Sequence, residues 1–315
     1  MSGRRKPPAA PLAAEQLTAL AGRLTDGDWQ LCRLLGDHQV LTTGLLSLLL
    51  DAPPRTLQQR LTTLTTLKVV DRFRPHQPVG AGSAPYHYLL GEAGAAVLAA
   101  DGSATVDRSG GDPAALLGVA HANGRLPHLL GVNTVFAQLS HTARHRAGTR
   151  LVCWWPAGRC HAQWGRLIAP DAYVRWQDPD GEVDFFLHHH PARPATDQPA
   201  LLLEGYNDLA AATGITTPVL LSASDPDQEA QLRAQLAGRR LLVPVATSNP
   251  ACGPPTEAVW LPTSSPAGGR RHRLGALAHP DPWHPRLTSR DRHTGGAGDG
   301  SAGPGRPVEA PAEQR

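Results

Sequence analysis

A chain of 315 residues, 41% hydrophobic and 18% charged, has the composition of an ordinary soluble protein of about two domains. Its formal charge of +3 is too small to argue a nucleic-acid partner by itself, so any basic surface must be local. Lysine occurs only as Lys6 and Lys68, which removes it as base, nucleophile or phosphate clamp from everything beyond residue 68.

The N-terminus MSGRRKPPAA carries no apolar segment, and Cys32, Cys153, Cys160 and Cys252 show no pairing pattern. Both features predict a cytoplasmic protein with reduced thiols. The apolar stretches at Leu45 to Leu50 and Leu201 to Leu203 fall far short of the roughly 20 residues that span a bilayer, so no membrane partner is expected.

Residues 1–20 read as a flexible basic N-terminus. Residues 21–100 then carry the signals of a winged helix-turn-helix domain. Thr25 or Asp26 caps a first helix closed by Gly36, and Thr42 or Thr43 caps a second through Leu50. A third starts at Pro54 and runs to about Leu67, with Leu57, Leu61 and Leu64 on one face. Two strands, Val69 to Phe73 and Tyr86 to Leu90, flank a Pro/Gly/Ser loop, and another helix begins near Glu92.

Residues 101–113 have a linker's composition. In residues 114–264 a helical stretch to about Arg146 precedes strands at Leu151 to Trp155, Tyr173 to Trp176 and Val183 to His188. A helix from Leu201 to Thr213, a strand from Pro218 to Ser222, a helix from Asp225 to Leu236, and strands at Arg240 to Val245 and Ala258 to Leu261 follow. This alternation predicts a mixed α/β domain. Residues 265–315 are rich in Gly, Pro, Arg and His, and are expected to be disordered.

Taken in order, the helical start with its two-stranded wing, HLLGVNTVFAQL (His128 to Leu139), LVCWW, APDA (Ala169 to Ala172) and DFFL resemble the replication-relaxation family of actinobacterial plasmids and integrative elements. The resemblance spans roughly Leu24 to Thr263. It implies a winged helix followed by a restriction-endonuclease-like domain related to the PD-(D/E)xK nucleases, in which carboxylates hold Mg²⁺ and a lysine orients the nucleophile. Asp171 matches the first carboxylate. The family's two further acidic positions are His188 and His190 here, and its Lys and Tyr positions are Leu202 and Tyr206.

Two sets of site residues follow. On the third helix Arg55, Gln58, Gln59, Arg60, Thr62 and Thr63 lie outside the leucine face and suit a DNA major groove, while Arg72 and Arg74 on the wing suit phosphate. In the second domain, Asp171, His188 and His190 form a candidate catalytic and metal set. Two imidazoles and a carboxylate fit Zn²⁺, Fe²⁺ or Mn²⁺ better than Mg²⁺. The competing interpretation is an ancestral Mg²⁺ site that has decayed, with no cofactor.

Cys153, Cys160 and His161 lack zinc-ligand spacing, and no nucleophile elbow, P-loop or dinucleotide motif is present. The tail arginines Arg270, Arg271, Arg273, Arg286, Arg290 and Arg292, with His272, present either a contact for an acidic partner or DNA backbone, or a solvated tail. The expected function is a DNA-binding accessory protein of a mobile element, acting in plasmid replication control or conjugative transfer. Its expected partners are double-stranded DNA and replication or transfer proteins. The alternatives are a metal-dependent endonuclease or nickase using Asp171 with His188 and His190, and a protein-interaction scaffold.

Overall fold

The computed structural model describes residues 14–75, 84–102, 125–165, 167–191 and 199–283. The chain forms two compact units, residues 1–121 and 122–315. Both contain helices and sheet, which bears out the mixed α/β expectation.

The first unit contains α1 (Ala14–Ala21), α2 (Asp26–His38), β1 (Leu41–Thr42), α3 (Thr43–Leu50), α4 (Pro54–Thr66), β2 (Val70–Phe73), β3 (His87–Leu90) and α5 (Glu92–Ala100). The caps read from the sequence close α2 and α3. Thr25 and Asp28 form a reciprocal capping box, and the Thr42 hydroxyl accepts from the Leu45 amide. Two expectations need correction. Residues 14–21 are helical rather than part of a flexible arm, and α2 continues through Gly36 to His38, ending where Gln39 takes a φ of 62°.

Leu57, Leu61 and Leu64 of α4 are buried, and each contributes roughly 1.5–3 kcal/mol of apolar burial. The same unit pairs its strands antiparallel in the order β1-β3-β2. Helix α5 starts directly on the turn before β2, its Gly91 and Ala93 amides donating to the Val69 and Lys68 carbonyls. A Cβ at Gly94 would run into the Val69 carbonyl, so this close approach requires glycine.

The second unit contains α6 (Arg125–His145), β4 (Arg150–Pro156), α7 (Ala157–Trp164), β5 (Ala172–Asp178), β6 (Gly181–His190), α8 (Pro199–Thr213), β7 (Val219–Ala223), α9 (Pro226–Leu236), β8 (Val245–Ser248) and β9 (Leu261–Pro262). One six-stranded sheet runs β4-β5-β6-β7-β8-β9. Its first three strands are an antiparallel meander, β6, β7 and β8 are parallel, and β9 closes it antiparallel. Strand alternation separates two cores. Tyr173, Phe186, Val219 and Leu221 pack with Leu203, Tyr206 and Leu209 of α8 and Leu232 of α9, while Val174, Trp176, Phe185 and Leu187 pack with Val135 and Leu139 of α6.

The strand expected at Arg240 to Val245 instead begins at Val245, and residues 240–244 form its approach. The packed chain also extends beyond Ser264, contrary to expectation. Trp260 and His272 exchange backbone hydrogen bonds, Leu274 and Leu277 are buried in the α6-side core, and Trp283 packs against that core. Two buried leucines supply the apolar anchor that the surrounding Gly and Arg residues obscure. The proposed linker from residue 103 onward, the wing-loop tip, and Arg286, Arg290 and Arg292 lie outside the described residues. Among the described residues no helix is long and apolar enough to cross a membrane.

Candidate functional site

Helix α4 divides its residues cleanly. Its leucines face the core, leaving Arg55, Gln58, Gln59, Thr62 and Thr63 exposed. The Thr62 and Thr63 hydroxyls donate back to the Gln58 and Gln59 carbonyls at 2.9 and 3.3 Å. Their methyl groups and oxygen lone pairs therefore remain for outside contact, while Arg55 and the two glutamines supply donors in a row.

Arg60 departs from the expected interface set. Its Nε donates to Asp28 Oδ1 at 2.7 Å, and its Nη2 pairs with Asp28 Oδ2. The Asp28 side chain is 3% exposed, so this fork-shaped ion pair joins α4 to α2 and fixes how α4 is presented. Burial works to raise the Asp28 carboxyl. The Arg60 and Thr25 hydrogen bonds outweigh it and hold the group below the usual carboxylate range.

On the hairpin, Arg72 and Arg74 lie on one side of β2 and its extension, and both guanidiniums stack against Tyr86, at 4.4 and 3.8 Å from the ring centroid. Tyr86 thus holds two cations side by side. Its place in this arrangement was not read from the sequence, although an aromatic at the head of a strand that pairs with one bearing alternate arginines is the signal that marks it.

The second constellation lies in the other unit, where β5 begins and the parallel strands β6 and β7 end. Asp171 Oδ1 accepts from His128 Nε2 of α6 at 2.7 Å, and its Oδ2 accepts from the His189 amide at 2.8 Å. His188 Nε2 shares a 2.7 Å hydrogen bond with the Tyr206 hydroxyl on α8. On the opposite sheet face, His189 Nδ1 meets Ser222 Oγ at 3.3 Å. His190 ends β6 on the His188 side. The structure therefore brings Asp171 to His128 and His189, and it commits His188 to Tyr206. A metal ion held by Asp171 and His188 would compete with these partners.

Burial lowers both His188 and His189 to about 4, against a raising influence from Asp171, so they are neutral imidazoles at physiological pH. Burial also pushes Asp171 upward, but the His128 hydrogen bond and charge and the His189 amide prevail, leaving it below the usual range. Gly131 of α6 makes room for this packing, because a Cβ there would enter the His189 ring. Leu202 packs against the α8-side core.

His128, His189 and Ser222 were missed as site residues. A glycine inside the helical run at Gly131 is the sequence signal for a close approach there. Among the cysteines, Cys160 donates to the Trp155 carbonyl from within the core, and burial pushes its thiol up to about 12. The expectation is corrected for two of the tail arginines. Arg271 forks onto the buried Glu229 at 3.0 and 2.9 Å, and Arg273 pairs with Glu257 at 3.2 Å, which anchors the segment after β9.

No curated protein and no solved structure matches this chain. The replication-relaxation family model matches residues 32–220, which take in α4, the arginine-bearing hairpin, Asp171 and the three consecutive histidines. With three-fifths of its length matched, the chain belongs to the replication-relaxation family.

Proposed function

We propose that this protein is a DNA-binding accessory factor of a mobile element, acting in plasmid replication control or conjugative transfer. In this reading its first unit is a winged helix, α4 enters the major groove and the β2–β3 hairpin is the wing. The exposed row Arg55, Gln58, Gln59, Thr62 and Thr63, held outward by three buried leucines and the Asp28–Arg60 pair, carries the reading. Arginine pairs with guanine, glutamine with adenine, and threonine methyl groups suit thymine. Arg72 and Arg74, with their planes set by Tyr86, are placed for phosphate.

The second unit is read as a PD-(D/E)xK-like domain that does not cut DNA. Histidines replace the second-strand carboxylates, Leu202 replaces the lysine, and both Asp171 oxygens are engaged within the protein. Its role is then to contact DNA or a replication or transfer protein. Membership of the replication-relaxation family supports the mobile-element setting.

The test begins with duplexes selected by the full chain from a randomised pool. Arg55→Ala should weaken binding to the selected sequence about 10- to 100-fold and relax its sequence preference. Unchanged affinity and preference would refute groove recognition. A plasmid-nicking assay with Mg²⁺, Mn²⁺ and Zn²⁺ should give no cleavage. Metal-dependent nicking abolished by Asp171→Ala would instead establish the endonuclease alternative.

A further inference from the structure

Near the C-terminus of α6 is a histidine pair used by neither the groove-reading helix nor the Asp171 cluster. His141 and His145 are four residues apart, so their side chains rise from one face of successive turns. Their ring centroids lie 4.4 Å apart with planes at 41°, and a ring nitrogen of one is within 4.8 Å of a ring nitrogen of the other. That spacing lets one ion bridge both lone pairs after small rotamer adjustments. His141 is half-buried and His145 exposed, so an incoming ion keeps water on its remaining coordination positions.

The helix end favours a cation, with Arg144 as a basic neighbour in the same last turn. The pair occupies the end of a 21-residue helix, where the carbonyl ends of the peptide dipoles carry partial negative charge. The neighbouring Arg146 guanidinium is drawn to Glu257 at 2.9 Å, which offsets its repulsion. Helical geometry fixes the two backbones in advance, so less ordering is required on binding than in a loop.

We propose that His141 and His145 form a two-imidazole chelate for a divalent transition-metal ion. Imidazole nitrogen selects borderline metals, in the order Cu²⁺ above Ni²⁺ and Zn²⁺, and gives no foothold to Mg²⁺ or Ca²⁺, which require oxygen ligands. The site is separate from the buried histidines of β6, whose nitrogens face Tyr206 and Ser222. An ion spanning two turns would brace the last stretch of α6, since it binds the folded helix and not the unfolded chain.

The experiment is calorimetric titration of the metal-stripped, untagged full-length chain with NiCl₂, and with MgCl₂ as a hard-cation control. One Ni²⁺ should bind per chain at the highest-affinity site, and uptake should weaken as acid competes for the imidazole lone pairs. His141→Ala and His145→Gln should each reduce that affinity at least tenfold with circular dichroism unchanged. His161→Ala, at another exposed histidine, should leave it unaltered. Absence of uptake by the unmodified chain, or uptake that survives both the His141→Ala and His145→Gln changes, would overturn the site.

Discussion

The outer face of α4 and the histidine cluster at the end of β6 are both dense in polar residues, yet they use them in opposite ways. On α4 the polar groups are directed away from a leucine stripe and remain exposed, with the one inward-turned member, Arg60, spent on Asp28. Around Asp171 the polar groups face each other across two helices and two strands, and they satisfy one another. Polar residues signal recognition only when their hydrogen-bonding capacity is left for an outside partner. When it is used internally, the same residue types act as struts whose loss is felt in stability.

The largest expected effect concerns the closed cluster and pH. Because His188 and His189 titrate near 4 in the folded protein and near 6.5 when unfolded, the unfolded chain binds more protons between those values. Stability of the second unit is therefore greatest above about pH 6.5 and should fall steadily as the pH drops toward 4. Thermal melts across this window that remain flat would show that the cluster is not buried as neutral imidazole.

Next in size, Arg60→Ala should cost the first unit about 1–3 kcal/mol by leaving the buried Asp28 carboxylate with only its Thr25 partners, as read by urea denaturation. Arg55→Ala should leave stability within roughly 0.5 kcal/mol while costing about 1–3 kcal/mol of duplex affinity, which separates presentation from contact. The smallest effect is on the β2–β3 pair. Arg72→Gln with Arg74→Gln should reduce the salt slope of DNA binding by about two phosphates without changing sequence preference, whereas altered preference would contradict a backbone-only contact.

Much of the α4 face was legible because its information is local. Leucines at 57, 61 and 64 define an inner stripe, Pro54 defines the start, and the remaining polar residues must point outward. Arg60 escaped this logic because its partner, Asp28, sits 32 residues away in α2. The cluster was legible in its faces and not in its contacts. Strand alternation correctly separates His188 and His190 from His189, but the Asp171–His128 bond joins residues 43 positions apart. Only α6 packed on the sheet, with Gly131 against His189, creates that bond. The packing of the segment after β9 was hidden for a related reason, since its anchor, Arg271 on Glu229, is a long-range pairing inside a stretch of loop-like composition.

Duplex binding measured by fluorescence anisotropy, with thermal melts on the same samples, tests the contrast most directly. The triple variant Arg55→Ala, Gln58→Ala, Gln59→Ala should lose at least 100-fold affinity for the selected duplex with its melting temperature unchanged. Asp171→Asn should lower the melting temperature while binding that duplex as the unmodified chain does. A triple variant that binds normally, or an Asp171→Asn protein that melts normally and loses DNA affinity, would reverse the roles assigned to the open face and the closed cluster.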